Sequence, residues 1–146
     1  MADVDTTTTQ GRGGRTAAIL RPAEITPRAR AGGARTLPMV SARVGARDFL
    51  NGITMFPPGA AIAEHFHNCD EAVLILRGNA VAHVAGEQHP VVAGDVSFIP
   101  AGIHHYFENV SDTEELHIFW TYASLDADRT IVATGVTTRI DQELDL

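Results

Sequence analysis

From residue 59 to 78 the chain reads GAAIAEHFHNCDEAVLILRG, and within that mostly apolar run stand His65, His67 and Glu71. Imidazole and carboxylate groups are costly to bury unless something pairs with them. Along an extended strand, residues two apart share a face. His65 and His67 therefore point one way, while Glu64, Phe66 and Asn68 point the other. Two imidazoles on one face can both reach a single cation at about 2.0–2.2 Å. After the bend at 68–70 the chain re-enters a strand at Glu71, which shares its face with Val73 and Ile75. If these two strands pair as a hairpin, the carboxylate returns beside the imidazoles. The chemistry this pattern suggests is metal coordination.

A further ligand is needed, and the stretch GDVSFIPAGIHHYFEN over 94–109 offers one. The two stretches together resemble the cupin family. Gly59, His65, His67, Glu71 and Gly78 fit the leading motif of that family, and Gly94, Pro100, Gly102, His105 and Asn109 fit its trailing motif. The residue types involved are each used at roughly 2–7%, so chance does not explain all of them falling into register. The resemblance covers about 40–122. It implies an all-β fold, a double-stranded β-helix or jelly-roll barrel. It also implies one divalent metal held by His65, His67, Glu71 and His105. By the same pattern Gly59 and Gly78 are turn glycines, and Pro100 with Gly102 shapes the bend that delivers His105. His104 and His105 are adjacent, so only one can face inward on a strand, and motif register selects His105.

Parity suggests the walls of a pocket around such an ion. Val73 and Ile75 follow Glu71 on its face, Phe107 follows His105, and Met55 or Phe56 would come from the preceding strand. His117 joins them if the face of Glu115, His117 and Phe119 lines the cavity. An apolar pocket with polar groups at its base suits a small hydrophobic or aromatic organic substrate. No arginine shares the ligand face in mid-strand, and Arg77 does so only at a strand end. His83 and His89 read as surface or supporting residues, and Cys69 as a free thiol in the bend.

Three imidazoles and one carboxylate suit Fe(II), Mn(II), Ni(II) or Zn(II). Iron, with two open positions, favours an oxygenase, and the sequence reading leans toward a dioxygenase. Zinc in the same cavity would polarise a carbonyl for cyclisation or isomerisation, with Glu71 as the catalytic group that moves a proton. Small cupins that resemble polyketide-pathway cyclases make this second case concrete. A third reading is a binding module without turnover, because this barrel hosts all three classes.

These groups need a scaffold to place them, and the rest of the chain reads as one. Its 146 residues suit one domain able to bury a core without disulfides. Hydrophobic content of 45% and charged content of 20% are globular values. Short apolar runs alternate with Gly, Pro, Asn and Asp punctuation from about residue 36, giving candidate strands at 39–45, 47–56, 60–67, 71–77, 80–85, 89–93, 96–99, 104–109 and 115–122. Residues 1–36 read as a flexible N-terminal arm with a short strand at 17–25, 37–125 as the barrel, and 126–146 as a C-terminal extension. No amphipathic helix stands out; SLDADRT offers one turn.

The net charge of −7 argues against nucleic-acid and anionic-membrane partners. All eleven basic residues are arginine, which excludes lysine Schiff-base chemistry. One cysteine, no apolar leader and no long apolar run lead to a cytoplasmic expectation. A homodimer is expected through the arm around AAILRPAEI and the stretch LHIFWTY.

Overall fold

Along Leu116–Tyr122, every second side chain (Leu116, Ile118, Trp120 and Tyr122) is buried, while His117, Phe119 and Thr121 are half-buried. That period of two is what a strand with one face in a core requires. The computed structural model describes residues 4–146 and builds them almost wholly from such strands. They are β1 (Asp5–Gln10), β2 (Thr16–Ile19), β3 (Arg28–Ala29), β4 (Arg35–Pro38), β5 (Leu50–Phe56), β6 (His65–Phe66) and β7 (Glu71–Arg77). There follow β8 (Asn79–Val84), β9 (Glu87–Val92), β10 (Val96–Ile99), β11 (His105–Asn109), β12 (Leu116–Tyr122), β13 (Asp128–Ile131), β14 (Thr137–Arg139) and the short helix α1 (Ile140–Glu143).

Two antiparallel sheets face each other across one core. The first runs β10-β7-β12-β5-β4-β3 and the second β14-β13-β6-β11-β8-β9, while β1 and β2 form a separate hairpin. This is the jelly-roll arrangement expected from the sequence. Phe56, Leu50, Val73, Ile75, Leu116, Trp120 and Phe107 fill the space between the sheets. Trp120 lies opposite Gly52 in register. A Cβ on Gly52 would stand 2.5 Å from the Trp120 ring and 2.8 Å from the Leu37 carbonyl, so only glycine leaves room for the indole. The indole Nε1–H donates to Thr54 Oγ1 at 2.9 Å, and the Thr54 hydroxyl pairs with that of Thr36 at 2.9 Å. The polar tips of the core are thereby satisfied.

Several boundaries differ from the sequence reading. The run 39–45 is not a strand; Ser41 Oγ accepts from Arg43 N–H and starts a 3-10 turn over Ala42–Val44 instead. The run 60–67 keeps strand pairing only at β6, with one bridge from Ala61 to Glu108. The N-terminal arm carries the β1–β2 hairpin, and residues from Arg28 onward already belong to the first sheet through β3 and β4. At the other end, SLDADRT supplies strand β13 rather than a helical turn, because β13 pairs with β6 and β14. The extension is thus sheet, and Ile140 of α1 and Leu144 just after it are buried in the core. No helix among the described residues is long and apolar enough to cross a membrane.

Gly78 turns the chain from β7 into β8 at φ +90°, and a Cβ there would meet the Glu115 carbonyl oxygen at 2.5 Å. Both the left-handed backbone and the close approach demand glycine. Gly78→Ala should therefore lower unfolding stability by about 1–3 kcal/mol, measured by urea denaturation. A change near zero would mean that this turn is free to relax.

Candidate metal centre

β6 places His65 with its side chain inside, and the next inward residue is His67. β11 lies beside β6 with His105 directly opposite His65. The His67 carbonyl accepts from Gly102 N–H at 2.9 Å, which ties the bend before His105 to the first pair of histidines. Glu71 comes from elsewhere. It opens β7 in the facing sheet, opposite Tyr122. The hairpin expected between the strands of His67 and Glu71 does not form, since β6 pairs with β11 and β13, and β7 with β10 and β12. The bend at 68–70 instead carries the chain from one sheet to the other. Asn68 exchanges hydrogen bonds with the Asp126 carbonyl and Asp128 N–H at 3.0 Å each, and Asp70 Oδ1 accepts from Ala101 N–H at 3.0 Å. The carboxylate therefore reaches the imidazoles across the barrel interior.

His65, His67 and His105 offer ring nitrogens that all lie within 4.8 Å of one another. Two donors on opposite sides of one ion stand about 4.2 Å apart, so small side-chain movements suffice to share a cation. Each Nδ1 rests on a backbone carbonyl: His65 on Ala63 at 2.7 Å, His67 on Asp128 at 2.7 Å and His105 on Ile103 at 2.8 Å. A carbonyl only accepts, so each Nδ1 carries a hydrogen, and Nε2 is the ring nitrogen left to face the cluster. Burial first, then the charges of Arg129, His105 and His67, push the His65 imidazolium down to about 2.

The inward Nε2 atoms meet another acceptor. Glu71 Oε1 lies 2.9 Å from His105 Nε2 and 3.5 Å from His67 Nε2. His67 Nε2 is buried and has no hydrogen-bond partner. Burial alone would raise the Glu71 carboxyl, but the hydrogen bond with His105 and then the nearby His67 ring hold it at about 2, so it is ionised. Wherever an Nε2 carries no hydrogen, it sets a lone pair against those of the ionised carboxylate. A cation resolves that conflict. The residues present fit a divalent metal.

The remaining expected site residues divide by face. Val73, Ile75 and Phe107 are buried on the inner side, where they pack the core beside the cluster. Met55 and His117 face away from it. They pair with each other across β5 and β12 on the outer surface, and His117 Nε2 lies 3.1 Å from Glu115 Oε1. The parity choice is corrected accordingly: Phe56, not Met55, points inward, and the Leu116–Ile118–Trp120 face lines the core. His104 is exposed and stacks on Phe66, His83 stacks on Tyr106, and Arg77 is exposed with Glu114 at 3.3 Å. Cys69 is half-buried, and burial pushes its thiol up.

Sequence parity missed two neighbours of the cluster. Tyr122 packs its ring 4.5 Å from that of His67. Burial, then the charge of Glu71, push its hydroxyl pKa upward, so it stays protonated. Arg129 enters from β13, a strand hidden in sequence because DADRTIV does not alternate cleanly. Only the pairing of β13 with β6 betrays it.

Comparison with known proteins agrees with the fold described above. A family model described as a cupin domain matches residues 52–122. The chain is 36% identical over 98 residues to "Polyketide synthase CurC" of Streptomyces cyaneus, a match covering 66% of this chain and 63% of that protein. A crystal structure of a "predicted oxalate decarboxylase" from Thermotoga maritima superposes with TM-score 0.65 at 30% identity, covering 73% of this chain and 99% of the other. The polyketide cyclase RemF from Streptomyces resistomycificus gives TM-score 0.69 at 15% identity over 84% of each chain, a likeness of fold.

Proposed function

The chain belongs to the cupin family, and from that premise we propose that it is a metal-dependent enzyme acting without redox change on a small hydrophobic carbonyl compound, by enolisation or cyclisation. The observation that carries the reading is the convergence of three buried imidazoles and an ionised carboxylate on one point. When bound at His65, His67, His105 and Glu71, a divalent ion would supply Lewis acidity toward a substrate oxygen. The protein's own groups supply the rest. Val73, Ile75 and Phe107 keep water from the cluster's surroundings. Glu71 is a poor base while hydrogen bonds hold it low, but burial is the largest influence on it and acts in the opposite sense. Loosened from the histidines, its carboxylate becomes a stronger proton acceptor beside the substrate. Tyr122, protonated and next to His67, is placed to donate a hydrogen bond. Similarity to CurC and to the cyclase RemF favours a polyketide-like ketone as the substrate class.

A dioxygenase is the second reading, favoured by the donor set. Four protein ligands leave two positions on an octahedral Fe(II) ion, enough for substrate and oxygen. Metal analysis of protein purified without added metal, followed by oxygen-uptake assays with aromatic diketones, separates the two. Zinc, nickel or manganese with anaerobic exchange of the diketone's acidic protons is the expected result. Iron with substrate-dependent oxygen uptake would replace the first reading by the second. A chain that neither holds nor is stabilised by any of these ions would overturn both.

A further inference from the structure

Arg129 is 6% exposed, an unusual burial for a guanidinium. Its position in β13 ties it to the metal cluster. The preceding carbonyl, Asp128 O, holds His67 Nδ1, and the following residue, Thr130, pairs with Phe66, which lies between His65 and His67. The guanidinium lies against Glu143 of α1, Nη1 to Oε2 at 3.1 Å, and against the Tyr122 hydroxyl. Arg30 reaches the same Glu143 carboxylate at 3.4 Å. Arg129 Nε is buried and has no hydrogen-bond partner. A guanidinium whose five N–H donors are this well shielded rarely leaves one unused.

Charge gives the second argument. Neutral imidazoles, one carboxylate and a divalent ion leave one positive charge in the cluster. Arg129 and Arg30 over the single Glu143 carboxylate leave another. Uncompensated positive charge in a buried site is costly, and an anionic ligand removes that cost. An anion also meets the spare donor with charge-assisted geometry, for which a planar guanidinium is well suited.

We propose that Arg129 is the anion-recognition residue of this site, receiving a negatively charged oxygen of the substrate beside the His65–His67–His105–Glu71 cluster. The proposal rests on the metal reading and narrows it. The ligands taken are ones that present an anionic oxygen there, namely carboxylates and 1,3-diketones that ionise in the site, rather than ketones that stay neutral. Glu143 is then a competitor that holds the guanidinium in place while the site is empty of substrate.

The test uses the full chain loaded with Co(II) and two probes of the same shape, pyruvate and its neutral amide. Binding is read from the d–d absorption and, separately, from the fluorescence of Trp120, the single tryptophan, which stacks on Tyr122 at 4.8 Å. Arg129→Gln should weaken pyruvate about tenfold or more and change the amide less than about twofold, with Arg129→Lys between. Glu143→Gln should tighten pyruvate by freeing the guanidinium. Equal losses for both probes, or pyruvate weakened by Glu143→Gln as well, would make Arg129 a structural clasp for α1 and overturn the proposal. If Arg129→Gln does not fold, the lysine and Glu143 variants decide. Failure of the wild-type chain to bind Co(II) would refute the metal reading alone; the fluorescence titration then still reports whether pyruvate binding depends on Arg129.

Discussion

His105→Ala, purified with excess divalent metal present, should carry less than about a tenth of the metal held by the wild-type chain, and His65→Ala should behave alike. The reason lies in the pairing of β11 with β6, which sets these two rings side by side, centroids 4.5 Å apart and planes tilted by 59°. Removing either takes one of the converging Nε2 donors, and no other histidine faces inward to replace it. A ligand that binds only the folded state stabilises it by about 4 kcal/mol at a thousandfold excess over its Kd. For a chain of this size that is roughly 10 °C in Tm. The loss should therefore show with metal present and shrink to a few degrees in chelator, where the wild-type chain has lost the same stabilisation. Equal metal content and equal Tm in the variants would contradict the ligand assignment.

Acid should remove the metal and the fold together. His65 is held neutral, its folded value depressed to about 2, while the unfolded ring titrates near 6.5. Glu71 is held ionised, depressed to about 2 against a usual value of 4.5. For both groups the unfolded chain takes up protons first, so their contribution is fully present above about pH 6.5 and is lost as pH falls. His65 contributes a slope of about 1.4 kcal/mol per pH unit between 6.5 and 4.5, and Glu71 adds about as much again below 4.5. A bound divalent ion acts in the same sense, since it too requires bare Nε2 atoms. Circular dichroism and metal release, followed together from pH 8 to pH 3, should change in one transition. Complete metal release near pH 6 from a chain that stays folded to pH 3 would show that the imidazoles protonate freely inside the barrel.

Much of this was legible in the residues. The period of two around His65 and His67, and the glycine and proline spacing around His105, are local features that survive translation into structure without knowledge of distant partners. Apart from the Ser41-capped turn in place of a strand at 39–45, the failures are non-local. Glu71 was expected to return by a hairpin, but the bend at 68–70 crosses between sheets, and sequence does not say which sheet a strand will join. Met55 and His117 sit on strands whose two faces are both largely apolar, so parity could not choose the inner one. Arg129 and the strand that carries it lie beyond the last regular apolar run. Their place is decided by the pairing of β13 with β6, some sixty residues away in sequence.

Anomalous diffraction from metal-loaded crystals, collected at the absorption edge of the bound ion, tests the central claim most directly. A single strong peak about 2.0–2.3 Å from the Nε2 atoms of His65, His67 and His105 and from a Glu71 oxygen is the predicted result. A fully loaded protein whose ion lies elsewhere, with those four side chains hydrogen-bonded among themselves, would contradict it.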